Sequence, residues 1–483
     1  MNKVNKNYIY NVLYEALTVI TPLITASYLA RVLGADNIGV FSFTESIVSY
    51  FELFAIMGIS VYGHREISFH QDNVIERTKA FWNTKITSLA ISGTVLVVYI
   101  VFAAYMNSVL YWIFTMAIIA TMVDVTWFFQ GMEEFGRIVL RNVILKVLTI
   151  ICIFCFVKTR EDFLLYAFIH VGLAMLSEVM LLPQLRKYLC RVPLKELKPF
   201  RNFKPILMLF IPSIAVHIYY RIDKSMIGWI TNDAFENGYY EQATSIVRTI
   251  FPLVTAMGTV LLPRISFCHK KRDYEGVCNY VYKNVRFLWF LVIPSAFGVA
   301  VIADNMVPWF FGPGYDPVIP LLKILCVMLI IHGWTDLLGY NYLIPTEQEK
   351  KYTVTVVTGA VLNVILNLIF ISKWKARGAA YASVLSEFIT LLIQFYFVRK
   401  ILSIRKMLSL GINYAIAGLV MFVSVGMVAH KLSSSIINTF IIAVSGIVVY
   451  ALMLLILRDP LFIDSARGIL KKIRKNRQET GEQ

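Results

Sequence analysis

A chain of 483 residues with about fourteen apolar stretches, each long enough to cross a bilayer, has few ways to fold. A span needs about 20 apolar residues, because a helix rises about 1.5 Å per residue through about 30 Å of hydrocarbon. The stretches run at 8–33, 38–63, 81–105, 108–130, 138–157, 163–185, 205–230, 237–262, 281–303, 316–340, 352–372, 377–398, 408–429 and 436–457. Hydrophobic residues make up 58% of the chain and charged residues 16%, with a mean hydropathy of +0.66. Soluble domains run about 45–50% apolar and about 25% charged. A water-soluble fold is therefore excluded, and an all-α polytopic membrane protein is expected.

The net charge of +16 would suit a nucleic-acid binder, but its distribution argues against one. With the N-terminus inside, about 31 Lys and Arg fall in loops on that side and about 7 on the other. This is the positive-inside pattern of a cytoplasmic membrane protein with both termini cytoplasmic. The inside clusters are 186–204, 264–272, 399–406 and 467–477, the last placed to meet anionic lipid headgroups. The first apolar segment is too long for a cleavable signal peptide and serves as the first span. Cys152 and Cys155 form a CxxC within span five, where simple packing is the expected role.

Residues 39–68 match 238–267 at an offset of 199: Gly39 with Gly238, Ser46-Ile47-Val48 with Ser245-Ile246-Val247, Arg65 with Arg264. The matches fall in spans two and eight, which run in the same direction. The expected architecture is two six-helix bundles in parallel pseudo-repeat plus two C-terminal helices, with substrate handled between repeats. The boundaries read as 1–187 for the first bundle, 188–204 for a basic cytoplasmic linker and 205–400 for the second bundle. Residues 401–457 form the accessory helices and 458–483 a basic cytoplasmic tail.

Several phrases carry a family resemblance. They are Tyr28-Leu29-Ala30-Arg31-Val32-Leu33-Gly34, then Gly39, Phe41 and Arg65-Glu66-Ile67; Asp124, Trp127, Gln130-Gly131 and Glu133-Glu134; and Asp223-Lys224 with Ile227-Gly228 and Gly238-Tyr239-Tyr240. Further on come Phe311-Gly312, Tyr315, Pro345, Glu349-Lys350-Lys351-Tyr352, then Asn363, Asn367 and Gly378-Ala379-Ala380. In this order the chain resembles the polysaccharide repeat-unit (Wzx-type) flippases, within the superfamily that also holds multidrug antiporters and the lipid II flippase. The resemblance implies alternating access and a polyprenyl-pyrophosphate-linked oligosaccharide as cargo. Polymerase and export proteins of a surface-polysaccharide pathway (capsule or O-antigen-like) are the implied partners. A monomer is the default.

Charges inside spans are costly and mark functional candidates. Arg221 and Lys224, three apart on span seven, share a face and suit a pyrophosphate. The alternative is that Asp223 neutralises one of them while the other snorkels. Arg248, near the middle of span eight, is the strongest candidate for substrate contact, with Lys323 on span ten as a weaker one. Glu45 and Glu52, seven apart on span two, either couple transport to H+ or Na+ or pair with Arg248 or Arg221. Lys85, Lys146 and Arg286 lie at the depth of Glu15, Asp124 and Glu178, as an inner gate or as stabilising pairs. Arg31 stands at the outer end of span one, where the helix dipole or an outer gate explains it equally. Asp336 and Glu387 are minor candidates, and His170 and His332 are expected to be satisfied by hydrogen bonds. Asn363 and Asn367 are expected to bond between helices. Spans thirteen and fourteen, almost free of charge, either flank an opening for the lipid tail or simply face lipid.

No P-loop, HExxH, Cys/His cluster or GxSxG occurs, so no cofactor and no catalytic role are expected. Two alternatives remain. A membrane-embedded polymerase or ligase would need longer outward loops than the dozen or so residues found here. A multidrug antiporter would favour an acidic cavity, whereas Arg248 is cationic.

Overall fold

The computed structural model describes the backbone of residues 3–464 and side chains from residue 21 onward, apart from those of 22, 211, 212, 215, 216 and 259. The side chains of Glu15, Pro22 and Pro212 and the whole basic run 467–477 lie outside the described residues. Among the described residues all regular structure is helical. That outcome follows from the solvent: hydrocarbon offers backbone N–H and C=O groups no partner, and a helix satisfies them within itself.

Helices α1 to α15 run Lys3–Ile56, Ile59–Phe69, Val74–Met106, Val109–Val123, Thr126–Gly131, Phe135–Phe156, Phe163–Val179, Phe203–Thr231, Ala234–Lys270, Tyr274–Phe311, Val318–Leu338, Glu349–Val398, Ile404–Ser409, Ile412–Ala429 and Ile436–Ile456. Among the described residues eleven stretches are long and apolar enough to cross a membrane. Two of them serve as hairpins. As a straight rod, α1 with 54 residues would extend about 81 Å, far beyond a bilayer. It breaks at Gly34, whose φ of 82° belongs to the left-handed region that glycine enters without penalty. Before the break Tyr28 packs on Phe154 and donates to the Val157 carbonyl at 2.6 Å; after it Phe41 packs on Tyr166 and His170. The 50-residue α12 breaks at Lys375, φ 51°. Its arms return side by side: Asn363 donates to Ser383 at 3.4 Å, and an added Cβ at Gly359 would meet the Thr390 hydroxyl. Counting both hairpins twice and adding α8, itself 29 residues long, gives about fourteen crossings, as expected.

The chain forms two compact units, divided after Glu241. In unit one, α8 packs along α1 and α2. One apolar cluster joins Leu33, Phe41, Tyr99, Phe114, Ile118 and Tyr166; another joins Tyr62, Ile67, Phe81, Trp127 and Phe128. In unit two, α14 and α15 are stitched to α10 by side chains that find backbone partners. Asn305 donates to the Ala429 carbonyl at 3.0 Å, and Trp309 donates to Thr439 at 2.6 Å. Pro294 lacks the N–H that would normally bond the Phe290 carbonyl four residues earlier. Tyr450 of α15 donates to that freed carbonyl at 3.1 Å. The outward faces stay apolar: Phe440, Ile447 and Ile456 are each about 70% exposed, ordinary against lipid and untenable in water.

Candidate substrate site

A dense polar cluster of unit one lies where α1, α8 and the first turns of α9 meet. Gly39 and Gly238 let these helices touch backbone to backbone. A Cβ on Gly39 would lie 1.7 Å from the Ala234 carbonyl oxygen, and one on Gly238 would lie 1.9 Å from that of Ala35. Gly228 admits the Phe43 ring in the same way. This close approach brings four charges of α8 and α1 onto common ground with Glu241. Arg221 donates to Glu45 at 3.0 Å, both side chains 30% exposed. Lys224, only 2% exposed, is paired with Glu241. Glu241 also accepts from Ser42 at 2.8 Å. Asp223 accepts from Tyr240 at 2.5 Å. Asn237 donates to the Lys224 carbonyl at 2.9 Å, and Ser225 bonds Ser46 at 2.9 Å and Tyr50 at 3.1 Å. Glu52 stands in electrostatic reach of Glu45 and Arg221, and His170 of Glu45.

Each cation thus has an ion-pair partner on another helix. A phosphate can replace a carboxylate on a guanidinium or ammonium with similar hydrogen bonds, so the cluster has the chemistry for exchanging an internal anion for a ligand anion. Glu241 is a partner that sequence reasoning missed. It sits at the edge of span eight, where a carboxylate reads as solvated.

The inner set of unit one is built differently. Lys85, 6% exposed, donates to the carbonyls of Met122 and Asp124 at 2.9 and 2.8 Å, at the break between α4 and α5. There α4 ends with unsatisfied carbonyls, and an ammonium is the natural cap. The Asp124 carboxylate caps the Thr126 N–H at 2.7 Å. Glu178 binds Arg141 at 3.0 Å and accepts from Thr126 at the same distance. Arg141 also escaped the sequence reading, which placed the inner cations at Lys85, Lys146 and Arg286. Arg31 is exposed near the α1 break, where Asp36 pairs with Arg160.

In unit two Arg248 is half-buried on α9 and acts electrostatically on His332. His332 Nδ1 lies 3.2 Å from Glu387, which Thr335 also bonds, and the His332 ring packs on Phe251 at 4.4 Å. Asp336 accepts from Asn341 at 2.7 Å. Lys323 pairs with Asp304 at 2.7 Å in an exposed position. Among the described residues no group of three or more His, Cys, Asp and Glu could hold a metal ion, and the cysteines are free.

Helix breaks, freed carbonyls met by side chains and ion pairs between long apolar helices define a polytopic helical membrane protein. The chain belongs to the family described as polysaccharide biosynthesis protein, which matches residues 4–269, more than half its length. It is 22% identical over 407 residues to a protein of Escherichia coli (strain K12) named "Putative O-antigen transporter", covering 82% of this chain and 96% of that one. Its fold is that of the lipid II flippase MurJ in an inward closed conformation, with a TM-score of 0.72 at 15% identity, covering 94% of this chain and 99% of that one. An inward-facing multidrug resistance MATE family transporter follows at a TM-score of 0.61 and 14% identity, covering 81% and 95%.

Proposed function

We propose that this protein flips a polyprenyl-pyrophosphate-linked oligosaccharide from the cytoplasmic to the outer leaflet by alternating access, for a surface polysaccharide. Family membership supports the class of pathway. The observation that carries the substrate chemistry is the pair of intramembrane cations Arg221 and Lys224, each ion-paired with a carboxylate of another helix. A site for cationic drugs would offer the opposite charge, which counts against the antiporter reading despite the MATE-like fold. The polymerase reading has no support in motif or loop length.

In this reading Arg221 and Lys224 take the pyrophosphate, while Arg248 and, more weakly, Lys323 contact substrate. Glu45 or Glu52 carries a coupling H+ or Na+, with Glu45 released when phosphate takes Arg221. Asp223, Arg31, Lys85 and Asp124 are assigned to gating, Lys85 by locking the α4–α5 break. The protein acts as a monomer in the bacterial cytoplasmic membrane with both termini inside, alongside polymerase and export proteins.

The test is the leaflet location of the lipid-linked repeat unit in cells depleted of the protein. Accumulation on the cytoplasmic face with loss of surface polymer is expected. Normal delivery of single units without polymer would move the assignment to a polymerase. Arg248→Gln is expected to abolish flipping while membrane insertion, read by protease accessibility, stays intact; full activity would remove Arg248 from the site.

A further inference from the structure

Helix α10 changes polarity along one face rather than around it. Lys283 and Arg286 stand three apart near its start, and Phe287, Phe290, Pro294 and Gly298 continue the same face at helical spacing. The charged end opens on a pocket of about 980 Å³ lined also by Tyr282, Lys406 and Phe462. Lys406 is held in place, its ammonium 4.2 Å from the Tyr282 ring, while Trp289 donates to the neighbouring Met407 carbonyl at 3.1 Å. Phe290 also lines a second cleft of about 480 Å³, largely apolar, between α9, α10, α14 and α15. Leu253, Pro294, Gly298, Ile442 and Gly446 wall it, and a Cβ at Gly298 would meet nothing within 4 Å.

Three cations over one pocket, with Asp464 the carboxylate that lines it, call for an anion. The adjoining cleft calls for a hydrocarbon chain. From Arg286 to Gly298 is 12 residues, about 18 Å along the helix, close to the roughly 15 Å depth of one leaflet. The 465–483 tail carries six Lys and Arg against two Glu, so its own charge opposes it as the occupant. The geometry points to an anionic phospholipid of the inner leaflet, its phosphate on Lys283, Arg286 and Lys406 and one acyl chain in the cleft. Basic pockets between helices on the cytoplasmic side recognise such headgroups. The leaflet rests on the orientation proposed above; the site itself does not depend on flipping and lies apart from Arg221 and Lys224 in the sequence.

The test is lipid binding to the purified full chain, read by native mass spectrometry with phosphatidylglycerol and phosphatidylcholine of equal chain length. Phosphatidylglycerol is expected to bind at least about tenfold more tightly. Each of Lys283→Gln, Arg286→Gln and Lys406→Gln is expected to weaken it about fivefold, and the triple variant roughly a hundredfold. Gly298→Leu, which fills the cleft and keeps every cation, is expected to lose the lipid as well and decides the matter if the triple variant fails to fold. Equal binding of the two lipids, or unchanged binding in Gly298→Leu, overturns the proposal. So does displacement of phosphatidylglycerol by equimolar undecaprenyl phosphate, which would assign the pocket to substrate. Transport is not read in this assay, so its failure is distinct from failure of the flippase reading.

Discussion

Gly39→Ala and Gly238→Ala are each expected to destabilise the protein by about 3 kcal/mol, the upper part of the usual range for overpacking. The cause is a single methyl group. At either site it would fall less than 2 Å from a carbonyl oxygen of the helix opposite, and backbone cannot swing aside as a long side chain can. Small residues at membrane helix crossings exist to permit this approach. Gly93→Ala, whose Cβ would meet nothing within 4 Å, is the control and should be neutral or stabilising by up to about 1 kcal/mol, since alanine is the better helix former. Thermal unfolding of the detergent-purified variants reads all three. If Gly39→Ala and Gly93→Ala melt together, the crossing is looser than described.

The second large effect separates structure from transport at Lys224. Glu241→Gln leaves an ammonium with 2% exposure facing a neutral amide, and breaking a buried pair this way costs about 3–5 kcal/mol. The double variant Lys224→Met/Glu241→Gln removes both charges and should recover most of that stability, because apolar replacements of buried pairs are often neutral. Transport should not recover, because the phosphate ligand is gone. A stable double variant that flips substrate at the wild-type rate would make the pair purely structural. Stability is read by unfolding and transport by leaflet location, so the two outcomes are scored separately.

The contrast between the legible and illegible parts of this chain follows from what a helix period encodes. The approximate span number was readable because apolar length is one-dimensional. The offset of 199 was readable because the crossing demands glycine at both Gly39 and Gly238, whatever surrounds them. The Asn363–Ser383 bond between the arms of α12 also fits the expectation for that pair. Partner choice was readable only in part: the Glu45–Arg221 pair is one of the two outcomes expected for Glu45, whereas the partner of Lys224 was not expected. Asp223 lies one residue from Lys224, yet the two leave the helix about 100° apart, and the carboxylates that meet the cations come from α1 and α9. Lys85 satisfies carbonyls exposed by the α4–α5 break, and nothing in the apolar pattern of span four announces that break strongly enough to assign the lysine to it. Glu241 and Arg141 were passed over because both stand near span ends, where charge is normally solvated.

The crossing of 35–42 with 234–241 has the form of an isologous interface folded into one polypeptide. Ala35 and Ala234 are equivalent at the same offset as Gly39 and Gly238, and the two contacts are reciprocal. Ser42 hydrogen-bonds the residue that is its own equivalent, Glu241. In a homodimer of half-length chains such a position would face its own copy across the dyad, and every substitution would appear twice. A glutamate there would confront a second glutamate; a serine would offer no countercharge. Only within one polypeptide can one copy of the position be serine and the other glutamate. The Ser42–Glu241 bond, and the carboxylate it steadies beside Lys224, is therefore chemistry that a symmetric pair of identical chains has no means to hold.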